Sequence, residues 1–184
     1  MWISRIPVPV EINASAHADD DFSKNKSIAE LTDWNIYSPV WAPVSLEDQW
    51  LKLQDKDPFD YAKVERKIPA SKELKVSFDL KAGQNNKGTL QIEFLDENGI
   101  ACSRMELTDD GIFRLKGGSR FANMMKYEAG KVYHVEAVLS TVDRNIQVYV
   151  DGKRVGLRMF YAPVAAVERI VFRTGVPRTF PTVD

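Results

Sequence analysis

The sequence predicts an all-β chain folded as an antiparallel sandwich, and three observations carry that prediction. Gly83, Gly88, Gly99, Gly111, Gly117, Gly118, Gly130 and Gly152 punctuate the region after Pro69 at intervals of roughly 8 to 12 residues, the turn spacing of sandwiches and barrels. The runs between these glycines alternate apolar and polar side chains, which is the period of a strand with one buried face. No window after Pro69 sustains the apolar repeat of about 3.6 residues that a helix needs.

The elements follow in chain order. Residues 1–57 are expected to form an extended wrapping or docking segment of the same domain, because all four tryptophans and six of the nine prolines lie at or before Pro69. Pro7, Pro9, Pro39 and Pro43 lack the donor that a central strand requires, so Trp2 to Val10 and Trp34 to Val44 fit extended edge segments. Ala14 to Leu31, rich in aspartate and lysine, fits an exposed loop. Residues 58–176 make the sandwich body, and 177–184 a C-terminal tail.

Within the body, Leu74, Val76, Phe78 and Leu80 share one strand face, as do Leu90, Ile92 and Phe94; Tyr133, Val135, Ala137 and Leu139; and Ile146, Val148 and Val150. Turns fall at Glu97-Asn98-Gly99, Asp109-Asp110-Gly111 and Val150-Asp151-Gly152-Lys153. Ser119 to Tyr127 fits either a short helix, with Phe121, Met124 and Met125 on one side, or a strand. Val167, Ile170 and Val171 mark a buried strand with Arg173 at its end.

Composition excludes several functions. With 184 residues the chain suffices for one well-cored domain, and 25 basic against 26 acidic residues leave no basic field for a phosphate backbone, so nucleic acid is not an expected partner. No run approaches the roughly 18 apolar residues of a membrane span, and Met1-Trp2-Ile3-Ser4-Arg5 lacks the pattern of a signal peptide. The single cysteine, Cys102, permits neither an internal disulfide nor a cysteine-based zinc cluster.

The common catalytic constellations are missing. A nucleophile–histidine pair needs a histidine beside its nucleophile, and the two histidines are His17, in the polar loop, and His134, opposite an apolar strand face. The glycine-rich phosphate and dinucleotide loops, the nucleophile elbow and the His-Glu-x-x-His helix do not occur. No catalytic residue is therefore assigned. Glu65, Glu93 and Asp96 are the carboxylates that a sandwich glycanase or polysaccharide lyase would use with an arginine; Glu93 otherwise fits a solvent face, and Asp96 to Gly99 a turn.

Binding chemistry has more candidates. Trp34, Tyr37 and Trp41 are of the type that stacks on the apolar faces of sugar rings, although tryptophans of a small domain also serve its core. Arg173 can pair its planar fork with a carboxylated ligand such as a uronic acid, or form an internal salt bridge to Glu65 or Asp60. Asp55, Asp57 and Asp60 are candidate ligands for calcium, which takes several loop oxygens; the same residues fit a solvated turn begun by Asp57 before Pro58.

The segments Glu128 to Val135 and Asn145-Ile146-Gln147-Val148-Tyr149-Val150-Asp151-Gly152-Lys153-Arg154-Val155 resemble the laminin-G/concanavalin A-like jelly-roll superfamily, over roughly Tyr61 to Gly175. A narrower likeness joins Trp2 to Val10, Asp33 to Pro39, Asp57 to Ala62 and Phe172 to Gly175. These look like the C-terminal sandwich that follows the β-propeller in bacterial sialidase-like (BNR-repeat) proteins of polysaccharide breakdown. The resemblance implies a concanavalin A-like jelly roll with an extended N-terminal segment. It implies a non-catalytic module of a larger carbohydrate-active protein, binding a polysaccharide or oligosaccharide or packing against a catalytic propeller. An extracellular, periplasmic or cell-surface location follows from the same likeness. The alternatives are the sandwich glycanase or lyase and a purely structural interdomain module. No propeller blade and no sialidase Ser-x-Asp box is present, so no catalytic residue of that family carries over.

Overall fold

The computed structural model describes residues 18–57 and 59–175. Its strands are β1 (Trp34–Tyr37), β2 (Val44–Glu47), β3 (Trp50–Leu53), β4 (Lys63–Ser71), β5 (Glu73–Lys81), β6 (Leu90–Leu95) and β7 (Ala101–Leu107). They continue as β8 (Ile112–Gly117), β9 (Arg120–Lys126), β10 (Val132–Ser140), β11 (Asn145–Val150), β12 (Lys153–Met159) and β13 (Val167–Thr174). One short 3-10 turn, Ile28–Glu30, is the helical element among the described residues. Within the segment 119–127, Arg120–Lys126 is the strand β9, paired antiparallel with β8.

Seven strands form one sheet in the order β1-β4-β13-β6-β7-β8-β9, and four form a second in the order β12-β11-β10-β5. Every pairing is antiparallel. The expected sandwich of two antiparallel sheets is thus the observed architecture.

The alternation read in the sequence becomes a layered core. In register across the larger sheet lie Ile36, Val64, Phe172, Ile92, Met105, Leu115 and Ala122, a row that is apolar from edge to edge. It faces Val135, Ala137, Leu139, Ile146 and Val148 of the smaller sheet, all fully buried. Each large side chain so buried contributes roughly 1.5–3 kcal/mol. Phe78 of β5 and Phe172 of β13 meet edge to face, 5.2 Å between centroids, and tie the two layers together.

A second, smaller cluster covers the inward face at β1 and β4. The hairpin β2–β3 brings Val44, Leu51 and Leu53 against Ala62, Val64, Trp34 and Ile36. Its two-residue turn is Asp48-Gln49, both at positive φ, the geometry that a tight hairpin demands; lacking the usual glycine, this turn carries no strong sequence signal. The loop before β1 does more than cross solvent. Arg66, on the inward face and 5% exposed, is neutralised by Asp20 at 2.9 Å and Asp33 at 3.3 Å. Leaving a buried guanidinium unpaired would be costly, so Asp20 anchors the loop to the sheet.

Candidate functional site

The outward face of the larger sheet is built from the residues between the core positions. Antiparallel register aligns one residue from each strand: Tyr37, Lys63, Arg173, Gln91, Glu106, Arg114 and Asn123. Two residues along, the next row is Asn35, Glu65, Val171, Glu93, Arg104, Lys116 and Phe121. Twelve of these fourteen side chains are polar or charged, so this face is not a second core.

Nor is it an ordinary solvated surface, because its polar groups are held by one another. Gln91 is fully buried, Glu106 is 4% exposed and Glu93 is 9% exposed. Arg114 donates to Glu106 Oε2 from Nε at 2.6 Å, and Gln91 Nε2 donates to Glu106 Oε1 at 3.3 Å. Arg173 Nη2 donates to Gln91 Oε1 at 2.5 Å. The result is a continuous chain from β13 to β8. In the neighbouring row Arg104 Nε donates to Glu93 Oε1 at 2.7 Å. Lys63 and Arg169 hold the two oxygens of Glu65 at 3.1 and 3.2 Å.

Aromatic rings are interleaved with the charges. The Arg114 guanidinium lies 4.3 Å from the Phe121 ring centroid, and Lys116 Nζ lies 4.3 Å from that of Tyr161. Burial pushes the Tyr161 hydroxyl up to about 12, an effect that nearby Arg104 only partly offsets, so it stays a neutral phenol. Arg104, Glu106, Arg114 and Phe121 line a groove of about 390 Å3 together with Thr89, Thr108, Asp109 and Asp110. The expected Asp109-Asp110-Gly111 turn forms its rim. Tyr127 Oη fixes it by donating to the Thr108 carbonyl at 2.6 Å.

The residues singled out from sequence divide between this face and other places. Tyr37 and Arg173 fall in one row. Arg173 lies 5.3 Å from the Tyr61 ring, which is 5.3 Å from Tyr37. Neither Glu65 nor Asp60 pairs with Arg173 among the described residues; Glu65 takes Arg169 instead. Trp34 faces inward in register with Arg66, its ring 5.8 Å from Phe22. Trp41 sits in the turn after β1 and is 66% exposed. Trp2 and His17 lie outside the described residues.

The acidic candidates have local partners. Asp55 Oδ1 accepts from the Asp57 N–H at 3.0 Å, Asp57 Oδ1 from Phe59 N–H at 2.8 Å, and Asp60 Oδ1 from Tyr61 N–H at 2.9 Å. Asp60 Oδ2 accepts from Tyr37 Oη at 3.0 Å. Among the described residues no three His, Cys, Asp or Glu side chains converge on a point that could hold a metal ion. Glu65 and Glu93 share the outward face, flanking Val171. Asp96 instead closes the β6–β7 turn through the N–H groups of Asn98 and Ile100. Glu93, expected toward solvent, is covered because Arg104 folds over it.

Sequence reading did not single out Arg104, Glu106, Arg114 or Tyr61, and named Phe121 only as an apolar residue of the segment 119–127. The signal of Arg104, Glu106 and Arg114 was the polar half of each alternating strand, which looks the same whether water or a ligand covers it.

The family model for the sialidase-like CBM domain matches residues 34–184. A solved sialidase is 88% identical, with a TM-score of 0.91; the match covers 98% of this chain and 17% of that one. This chain therefore spans about a sixth of that sialidase. The apo Crh5 transglycosylase superposes with a TM-score of 0.67 at 12% identity, covering 89% of this chain and 71% of that one. The Emp47p carbohydrate recognition domain superposes at 0.50 and 11% identity, covering 77% and 79%. These two likenesses are of fold alone. No curated protein sequence matches the chain. No helix among the described residues is long and apolar enough to cross a membrane. The family model covers most of the chain, and the two-sheet antiparallel sandwich agrees with it: this chain belongs to the sialidase-like CBM domain family, and is a sialidase-like carbohydrate-binding module.

Proposed function

We propose that the module binds a glycan chain across the outward face of its larger sheet, and so keeps the catalytic part of a larger protein on its substrate outside the cell. The observation that carries this reading is the pair of polar rows crossing all seven strands. Six inter-strand spacings of about 4.8 Å give a track of about 29 Å, suited to an extended ligand. Sugars need hydrogen-bond donors and acceptors for their hydroxyls and ring faces for their C–H surfaces. Arg114 over Phe121, with Asn123 beside them, supplies both. The mutual hydrogen bonds of Gln91, Glu106 and Arg114 hold these groups in place beforehand, which lowers the ordering cost of binding.

Affinity electrophoresis against a panel of neutral and acidic polysaccharides tests the proposal. Phe121→Ala and Asn123→Ala should each weaken binding about tenfold, about 1.4 kcal/mol. A ligand bound with undiminished affinity by both variants would place the site elsewhere.

One observation favours a second role, packing against a neighbouring domain such as a β-propeller. Val40, Trp41 and Phe59 are 84%, 66% and 76% exposed. The Trp41 carbonyl accepts from the Lys56 N–H at 2.9 Å, which sets this turn beside the segment carrying Phe59. Exposed apolar side chains gathered in one region mark interaction surfaces. In the longer protein, the Trp41→Ala, Phe59→Ala double variant should make the connection to the module more sensitive to protease while leaving glycan binding by the isolated module intact. Unchanged sensitivity would refute the packing role.

A further inference from the structure

We propose that Arg173 makes the outer-face site selective for sugars that carry a carboxylate, an inference that rests on that face being the glycan-binding surface. The two outward rows hold five cationic side chains. Lys63, Arg104 and Arg114 are each ion-paired, with Glu65, Glu93 and Glu106. Lys116 is set between rings, 4.3 Å from Tyr161 and 6.0 Å from Phe121. Arg173 has no carboxylate within ion-pairing distance among the described residues, although it sits in the same half-buried face.

Its geometry is nevertheless fixed. Nη2 donates to Gln91 Oε1 at 2.5 Å, and the guanidinium lies 5.3 Å from the Tyr61 ring. Gln91 is itself held by Glu106, so the row of hydrogen bonds ends on Arg173. Its Nε is buried without a partner. A buried donor left unmade is costly, and a guanidinium that is fixed, charged and unpaired is matched by a planar anion with two oxygens. Asp60 does not supply that anion: it forms no ion pair with Arg173 among the described residues, and its carboxylate takes the Tyr61 N–H and Tyr37 Oη. Tyr61, 5.3 Å from the guanidinium, sets an aromatic ring beside the cation. A neutral sugar can use the ring and the polar groups of the face alone; a carboxylated sugar adds Arg173 to them.

The test is calorimetric titration of the purified chain with polygalacturonate and polysialic acid, each beside the same polymer with its carboxyl groups reduced to alcohols. At least one acidic polymer should bind tenfold or more tightly than its reduced form. Arg173→Gln should abolish that preference, read as the ratio of acidic to reduced affinity, whatever it does to the affinity for the reduced polymer itself. Should Arg173→Gln fail to fold, Arg173→Lys decides, since it keeps the charge and loses the fork; the preference should fall at least threefold. Equal binding of acidic and reduced polymers by the native chain, or a preference that survives these variants, overturns the inference alone. Failure of every polymer, acidic, reduced or neutral, to bind overturns the outer-face reading as well. Phe121→Ala separates the two, since it should weaken acidic and reduced polymers alike.

Discussion

The ion pair between Glu106 and Arg114 should be coupled by about 2 kcal/mol, and a double-mutant cycle can measure that value. The two side chains lie opposite each other on β7 and β8, with side-chain exposures of 5% for the acid and 36% for the arginine. Two donors, Nε at 2.6 Å and Nη2 at 2.5 Å, converge on a single carboxylate oxygen. A charge-assisted hydrogen bond contributes about 1.5–3 kcal/mol. Two sharing one oxygen do not add fully, and the exposed side of Arg114 recovers some hydration when the partner is removed, which brings the figure to about 2 kcal/mol. Glutamine is the replacement at both positions, because it keeps a polar side chain of similar reach; the guanidinium contact with Phe121 is lost in both Arg114→Gln and the double variant and so cancels in the cycle. Urea unfolding of the native chain, Glu106→Gln, Arg114→Gln and the double variant supplies the four free energies. With a slope of roughly 2 kcal/mol/M, Glu106→Gln alone should lower the midpoint by about 1 M, since it weakens the bonds to both Arg114 and Gln91. A coupling below about 0.5 kcal/mol would refute the claim that this face is organised by its own buried polar contacts, and would reduce it to a solvated surface.

Two further predictions concern groups away from the groove. Burial pushes the Cys102 thiol up from 9.0 to about 12, and Tyr161 is raised from 10.0 to about 12 in the same way. Both are acids whose folded pKa is raised, so their contribution to stability is complete below about pH 9 and is lost as pH climbs from about 9 to about 12. Urea midpoints should fall over that window, and fall less for Cys102→Ala; a parallel decline would show that the thiol takes no part. A methyl group at Gly156 would sit 2.7 Å from Met124 Sδ and 3.2 Å from Leu115 Cδ2. There β12 closes on β8 and β9. Met124 is flexible and can shift, so Gly156→Ala should cost about 1 kcal/mol and Gly156→Val about 2–3 kcal/mol in thermal unfolding; a Gly156→Val variant as stable as the native chain would mean that the two sheet edges are not in contact.

Much of the fold was legible because β structure writes its inside and outside with period two. Leu90, Ile92 and Phe94, or Ile146, Val148 and Val150, declare a buried face without reference to any other strand. Turns were legible where positive φ calls for a special residue, as at Asp151-Gly152, and illegible where Asp48-Gln49 adopts the same geometry without a glycine. Ser119 to Tyr127 stayed ambiguous because neither its pattern nor its propensity decides between helix and strand; pairing with β8 does.

The site was legible only in fragments. Tyr37 and Arg173 were recognisable by side-chain type, as were Trp34 and Trp41. Trp34 turned inward with Ile36 while Tyr37 turned outward, a difference that depends on which partner face is covered. The role of Arg173 was open between ligand and internal salt bridge. The structure gives Glu65 to Arg169 and sets Arg173 beside Gln91.

By itself, then, the sequence determined which residues of each strand belong to the interior and where the chain turns, because these depend on neighbours within a few positions. Only the tertiary structure decided that polar residues from seven strands line up as two rows across one sheet. Arg173 meets Gln91 across 82 positions and Ala62 meets Thr174 across 112. Such pairings are selected by the packing of the whole sandwich, since a slip of one residue in any strand would turn its outward row into the core.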